Sequence, residues 1–366
     1  MTFLCSFLRS RWACAALAGW CVLLTMPWVI AAQGAARPDD LIDAPSRTLV
    51  AAQRATASGV ASQGGRTIAV GPHGLILLSE DGGVSWRQVA SPVSTDLTTV
   101  RFTSSGVAWA VGHDAVALRS SDSGASWERV LDGRAVLTLL RQSAKGSEEM
   151  EVEIQRTMGQ SATPDVWPAP LFDIWFAPDG LTGFAVGGFG LILKTSDAGR
   201  SWEAWHGKTD NEQRYHLYAL TGGEGGVFVA GEQGLVMHLN AKAQRFERMQ
   251  TPYNGSFFGI TQFGARVLAY GLRGNAFFSE DAGHAWTKIQ TGLDANLVSA
   301  VSQGNSVFLV SQHGSVLAVD FAAARATIFD QAPGAEVYDA AMTSPHRLAL
   351  ARLSGVSVIA FSAQGK

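Results

Sequence analysis

The chain has 366 residues, 47% of them hydrophobic, with 40 glycines and 11 tryptophans. That composition suits many short strands around a large core and excludes a disordered chain. The formal net charge of −3, with no basic run, argues against nucleic acid as a partner, and the three cysteines (Cys5, Cys14, Cys21) all fall in the first 21 residues, so the rest can form no disulfide, thiolate metal site or cysteine nucleophile.

Residues 1–36 stand apart. Arg9 and Arg11 precede an apolar run from Trp12 to Ala32, followed by the small residues Gly34, Ala35 and Ala36. This pattern predicts export, by a signal peptide cleaved between Ala31 and Ala36 or by an uncleaved N-terminal anchor. Losing Arg9 and Arg11 takes the basic count from 28 to 26 against 31 acidic residues, a net charge of −5. The expected location is periplasmic, free or anchored to the inner membrane facing the periplasm.

From residue 45 to 366 one pattern recurs. An octapeptide [ST]-x-D-x-G-x-x-W occurs at 79–86, 120–127, 195–202 and 279–286, with Ala285 in place of the usual serine before the Trp. Just upstream lies a Gly-x-x-Gly turn at 71–74, 187–190, 231–234 and 271–274, with weaker copies at 112–115, 311–314 and 352–355. From start to start these turns are 41, 75, 44, 40, 40 and 41 residues apart, the pitch of four-stranded propeller blades. In the second unit the four strands read as Leu97–Phe102, Val107–Val111, Val116–Arg119 and Trp127–Val130, from alternation of apolar or small residues with polar ones.

The 75-residue step is one pitch plus an insert between residues 131 and 170. Its AVLTLLRQ stretch (135–142) suits a helix, while EEMEVEIQ (148–155) alternates with period two; the insert reads as a loop with its own short structure or as an extra hairpin. The fourth unit keeps Asn240 and Phe246 in place of the octapeptide, and the sixth keeps only Asp320. The seventh unit shows three strands, Val337–Met342, Arg347–Ala351 and Val356–Phe361, and then the chain ends. Ser46–Ala52 is spare, and pairing it as the outer strand of the seventh blade would close the ring. The predicted fold is therefore all-β: a seven-bladed propeller of four-stranded antiparallel blades, closed by an N-terminal strand.

The octapeptide explains itself locally. Its Asp (Asp81, Asp122, Asp197, Asp281) accepts turn amides, its Gly takes a conformation a side chain would oppose, and its Trp (Trp86, Trp127, Trp202, Trp286) packs between sheets. These carboxylates are structural rather than catalytic. The Gly-x-x-Gly turns lie at the opposite end, beside the connections between blades. They ring one mouth of the channel with His73, Asp114, Phe189, Gln233, Arg273 and His313, plus Ser354. The 131–170 insert emerges at that mouth, with Tyr215, His216, Tyr253, Asn254 and Phe257 on neighbouring connections. His73 and His313 sit in different units around a channel mouth, too far apart to share a metal, so no metal, cofactor or catalytic residue is expected.

These repeats resemble the Asp-box repeats of bacterial neuraminidases. More closely, residues 173–202 (DIWFAPDGLTGFAVGGFGLILKTSDAGRSW) resemble the photosystem II stability and assembly factor family of plants and cyanobacteria. The resemblance covers the exported chain outside the insert. It implies a lumenal or secreted seven-bladed propeller that binds newly made membrane protein without catalysis. Related exported propellers of non-photosynthetic bacteria accompany efflux-type transporters, so a membrane protein or complex of that kind is the implied partner of a monomeric chain. The family's arginine-rich recognition face has no visible counterpart here. Two alternatives are a small-ligand binder using the channel and a sialidase-like glycoside hydrolase. The hydrolase needs three arginines, a Tyr nucleophile with a Glu partner and an acid Asp, of which only Arg273 and nearby Tyr270 stand out.

Overall fold

The structure is a computed structural model in which residues 40–103, 106–332 and 336–360 are described. The leader (1–36) lies outside them. The remainder forms seven antiparallel sheets, each a meander whose strands neighbour in chain order. The first strand of every sheet is innermost. These seven inner strands are Gly59–Gln63, Leu97–Phe102, Leu171–Phe176, Leu217–Gly223, Phe257–Phe263, Leu297–Gln303 and Val337–Ser344, and each contacts the next around a closed circle.

Burial divides into seven apolar clusters, one per blade-to-blade interface. Ile68, Val70, Ile76 and Leu78 of blade one meet Val100, Ala110, Val116 and Leu118 of blade two. Five further clusters repeat the arrangement around the ring. The seventh joins blade one to blade seven through Val60, Ala69, Leu75, Leu77, Ala349 and Ala351. Middle strands read as continuous apolar runs because both faces of each sheet are covered.

The expected closing strand is not present. Among the described residues the seventh sheet has three strands, and Ser46–Ala52 joins no ladder. Its first residues are drawn to blade one instead, and its last, Ala52, is buried in the cluster between blades one and seven without joining a sheet. Gln88 of blade one brackets those first residues, accepting from the Leu49 amide (2.8 Å) and donating to the Arg47 carbonyl (2.8 Å). Farther upstream Ile42 is fully buried in the cluster between blades one and two, and Arg134 pairs with Asp40 (2.7 Å) and Asp43 (2.9 Å). The ring closes through side-chain burial and hydrogen bonds that include the Ala57 amide to the Arg352 carbonyl (2.9 Å), the Thr56 hydroxyl to the Leu353 carbonyl (2.9 Å) and the Val60 amide to the Asp339 carboxylate (3.2 Å).

The insert forms two helices, α1 (Gly133–Ser143) and α2 (Glu148–Met158). The first was expected; for the second the helical period prevails over the apparent alternation. Met150, Ile154 and Met158 recur every four residues and pack on the cluster between blades two and three, whereas Val152 is 55% exposed. Ser147 caps the Met150 amide, and Glu148, Glu149 and Glu151 occupy the first turn, where the helix dipole favours negative charge.

The Asp turns follow the expected design and add one element to it. In blade one, Asp81 Oδ1 accepts from the Ser85 amide (2.9 Å) and Oδ2 from the Ser85 hydroxyl (2.6 Å). The opening residue also participates: Ser79 Oγ accepts from the Gly83 amide (2.7 Å) and donates to Asp81 (2.7 Å). Ser120, Thr195 and Ser279 do the same in the other copies. Ala285 has no hydroxyl, so Asp281 keeps the Ala285 amide (2.8 Å) and the Ser279 hydroxyl (2.8 Å) but lacks the bond that the serine hydroxyl before the Trp makes elsewhere. The Gly of each turn faces the preceding blade; a Cβ on Gly199, at φ +78°, would lie 2.4 Å from Trp109. Trp202 is nearly buried beside Trp109 and Phe176, whereas Trp86, Trp127 and Trp286 are half-buried and donate to the carbonyl of their own turn glycine. Asn240 and Asp320 hold the two divergent turns through amides at Ala243 (2.9 Å) and Ala323 (3.0 Å).

Gly199→Ala is expected to destabilise the fold by about 1–3 kcal/mol, read by urea unfolding, because it combines a clash with a left-handed backbone; an unchanged midpoint would refute the interface reading. Bonds from Ser126 and Ser201 hold the Asp122 and Asp197 carboxyls down to about 2. Their stabilisation is complete above the ordinary carboxylate range and is lost as pH falls from about 4 to 2. The melting temperature should drop across that window, and less steeply in Asp122→Asn/Asp197→Asn.

Candidate functional site

The two ends of the propeller differ. At one end each Asp turn lies beside the first hairpin of its own blade, as the bond from the Gly82 amide to the Gly65 carbonyl shows. At the other, each Gly-x-x-Gly turn lies against a connection between blades: the Gly74 amide donates to Thr95 O, Gly188 to Pro170 O and Gly234 to Gly255 O.

Five of the six ring residues share one conformation. His73, Asp114, Phe189, Gln233 and Arg273 have φ between 53° and 56°, left-handed values that cost a residue with a side chain about 1–2 kcal/mol. His313 does not; its turn uses Gly314 instead, at φ 85°. Three of the turns are pinned by the next connection, where Asp96 accepts the His73 amide (2.8 Å), His216 Nδ1 the Phe189 amide (2.8 Å) and Asn296 the Arg273 amide (3.1 Å). His73, Gln233, Arg273 and His313 are exposed, while Asp114 and Phe189 are half-buried. Of the connection residues, Phe257 belongs to the core and is fully buried; Tyr253 spends its hydroxyl on the Leu272 carbonyl (3.1 Å).

Inside this ring is a second one that sequence reasoning missed. The second residue of the inner strand is Phe172 in blade three, Tyr218 in blade four, Phe258 in blade five and Tyr338 in blade seven. Neighbouring rings touch: Phe172 and Tyr218 at 5.4 Å between centroids, Tyr218 and Phe258 at 5.7 Å. His216 meets Phe172 (6.2 Å), Tyr218 (6.1 Å) and Phe189 (5.1 Å), so the two rings merge over blades three to five into one half-exposed aromatic crescent. A signal for it was available, since each of these residues follows the buried aliphatic or aromatic residue that starts its strand. Helix α1 packs beside the blade-two turn, and α2 reaches the connection bearing His216 through Met150, whose sulfur lies 3.4 Å from an Arg214 nitrogen.

The crescent opens on a cavity of about 490 Å³ along the propeller axis, lined by the inner strands of blades two to seven and by Ser58, just ahead of the blade-one strand. Deeper in it, Arg101 of blade two donates to Asp173 of blade three (2.9 Å) and approaches Asp339 of blade seven (3.9 Å). The Asp173 carboxylate also accepts the Ile174 (2.9 Å) and Leu220 (3.1 Å) amides; Asp339 accepts the Ala340 amide (2.8 Å) and Ser299 hydroxyl (2.9 Å). Asp173 pushes the Arg101 guanidinium further up, while burial raises Asp339 against the opposing pull of Arg101. The Arg101 side chain is 43% accessible because its surface opens on the channel, although it lies deep in the protein. Tyr270 reaches the cavity wall past Gly259, where a Cβ would lie 2.1 Å from the ring. Burial raises the Tyr270 phenol, which keeps it protonated, and Arg273 stands in an exposed turn. A phenolate nucleophile flanked by three arginines is not assembled among the described residues.

Fold and site together define a seven-bladed Asp-box propeller with an aromatic mouth. The family model for photosynthesis system II assembly factor YCF48 matches residues 165–288, which span blades three to five and hence the crescent. A solved structure described as YCF48 bound to D1 peptide superposes with a TM-score of 0.61 at 15% identity, covering 85% of this chain and 94% of that one. YCF48 from Cyanidioschyzon merolae superposes at 0.60 and 16% identity, covering 88% and 100%. No curated protein sequence matches. Over residues 165–288 the chain is thus similar to the photosynthesis system II assembly factor family, and the two solved structures share its propeller fold.

Arg101→Leu would leave two enclosed carboxylates facing one another. The expected loss is about 1–3 kcal/mol at neutral pH, below the value for a fully buried pair because the channel admits solvent. The deficit should shrink as pH falls and Asp339 takes up its proton, measured by urea unfolding at neutral and mildly acidic pH; a deficit independent of pH would count against the charge network.

Proposed function

We propose that the protein is an exported, non-catalytic scaffold that binds a segment of a membrane protein or membrane-protein complex, such as an efflux-type transporter, at the connection-side mouth. The observation that carries this reading is the half-exposed aromatic crescent of Phe172, Phe189, His216, Tyr218 and Phe258 at the opening of the axial cavity. Soluble chains seldom leave contiguous aromatic surface uncovered without a use for it. Five turn side chains held in a costly backbone conformation surround the same opening, and the α1–α2 hairpin rises beside it. A solved propeller of the same fold is described as bound to a peptide, which agrees in kind. His73, Asp114, Gln233, Arg273 and His313 form the polar rim of this interface. The leader directs the chain to the periplasm, free or held at the inner membrane.

The test is capture from detergent-solubilised membranes, with retained proteins identified by mass spectrometry. Wild type is expected to retain an integral membrane protein, and Phe172→Ala/Tyr218→Ala/Phe258→Ala to lose it at least tenfold while keeping its β-sheet circular dichroism. Replacing residues 135–165 by a short linker should weaken retention as well. Equal retention by the triple variant would overturn the assignment of the mouth.

A further inference from the structure

Within the crescent the chemistry is more specific than apolar burial. Phe172, Tyr218, Phe258 and Tyr338 all line the axial cavity, and the first three meet at steep angles, 47° between Phe172 and Tyr218 and 71° between Tyr218 and Phe258. Rings so tilted wall a concavity instead of stacking flat on one another. The carboxylate of Glu232, in the blade-four turn, lies beside Tyr218. It accepts the His216 amide at Oε2 (2.7 Å) and lies 3.4 Å from the Tyr218 hydroxyl at Oε1. Glu232 is half-buried and has no ion-pair partner among the described residues.

Among the described residues no cation forms an ion pair with that carboxylate. Arg214, on the adjoining connection, is turned to the Met150 sulfur. Arg101, deeper in the cavity, is already shared between Asp173 and Asp339, so the axial cluster contributes one cation against two carboxyl groups. A carboxylate or phosphate guest would meet like charge. An apolar guest would strip water from Glu232 without replacing its lost interactions, which is unfavourable. A guest with a positive end and an apolar stem would satisfy both the ring faces and the carboxylate.

We propose that the crescent is a cation-recognition site, in which a lysine or arginine side chain of the partner segment lies against Phe172, Tyr218 and Phe258 and pairs with Glu232. This assignment rests on the peptide-binding reading above and names the residue class that reading leaves open. The Tyr218 hydroxyl orients the carboxylate, and the main-chain amide of His216 holds its second oxygen. The chain's net negative charge favours the approach of a basic segment.

The experiment titrates the purified full-length chain with capped pentapeptides Gly-Ser-Xaa-Ser-Gly, in which Xaa is arginine, lysine, citrulline, norleucine, phenylalanine or glutamate. The arginine and lysine peptides are expected to bind at least tenfold more tightly than citrulline or norleucine. Glu232→Gln should abolish that preference, and Tyr218→Ala or Phe172→Ala should weaken binding by a similar factor. Tyr218→Phe, which keeps the ring, should weaken it less than Tyr218→Ala; circular dichroism checks that each variant is folded. The proposal is overturned if citrulline, norleucine or phenylalanine binds as well as arginine, if the preference survives Glu232→Gln, or if no basic peptide binds at millimolar concentration. Phosphatidylcholine vesicles form a further arm: binding to them without binding to basic peptides overturns it in favour of a lipid headgroup. Should charge preference be absent while membrane capture still depends on the three rings, only the cation assignment falls. Capture indifferent to the rings removes the reading beneath it.

Discussion

Sheet-on-sheet burial between neighbouring blades is the constraint on which everything else rests. Each sheet is covered on both faces, so no blade can bury its apolar surface alone, and the circle must contain as many interfaces as blades. Seven clusters meet that demand, and the one between blades seven and one does so without a shared strand. Gly199 against Trp109 and Gly124 against Ile68 show how close neighbouring blades approach, and why those two turns carry glycine at left-handed φ. Closing the circle brings seven inner strands around one axis, and polar side chains there are retained only when bonded. Arg101, Asp173 and Asp339 are the result: charges from three blades that bond one another and the inner-strand amides.

The same packing separates stability from recognition. The Asp turns occupy one end, and each is satisfied within itself by its Asp, its opening Ser or Thr and the residue before the Trp. Little is left over there to bind anything. At the other end the connections and the Gly-x-x-Gly turns present side chains outward, with the turn backbone pinned by Asp96, His216 and Asn296. The α1–α2 hairpin is anchored by the cluster between blades two and three and extends this end alone. A rigid ring carrying variable connections at one mouth is an economical way to hold a recognition surface.

The aromatic crescent links the fold to its proposed use. It arises from one register position of the inner strand, the residue after the buried one that opens each strand, and that position turns toward the axis. In blades three to five it holds Phe172, Tyr218 and Phe258, and these are the blades matched by the assembly-factor family model. Likeness to solved propellers at 15% and 16% identity speaks for the fold. The chemistry of the mouth belongs to this chain's own residues, with the Glu232 carboxylate beside the Tyr218 hydroxyl and without an ion-pair partner among those described.

The amino-acid sequence by itself determined the blade count, the strand order and the turn chemistry, because those depend on contacts within a few residues: Asp81 with Ser85, Ser79 with Gly83. It also placed the His73-to-His313 ring at the end away from the Asp turns, since a four-stranded meander leaves no other arrangement. Only the tertiary structure decided what depends on distant partners. Met150, Ile154 and Met158 make 148–158 helical because a hydrophobic face between blades two and three awaits them, although the local pattern also suited a strand. Ser46–Ala52 adds no strand to blade seven because Gln88 binds Arg47 and Leu49 and Ile42 is buried between blades one and two, leaving only Ala52 against blade seven. Arg101, Asp173 and Asp339 lie 72 residues or more apart along the chain in every pairing, and Phe172, Tyr218 and Phe258 sit on separate blades. Closure of the ring gathers both groups on one axis, and no local pattern records which residues a closed circle will bring together.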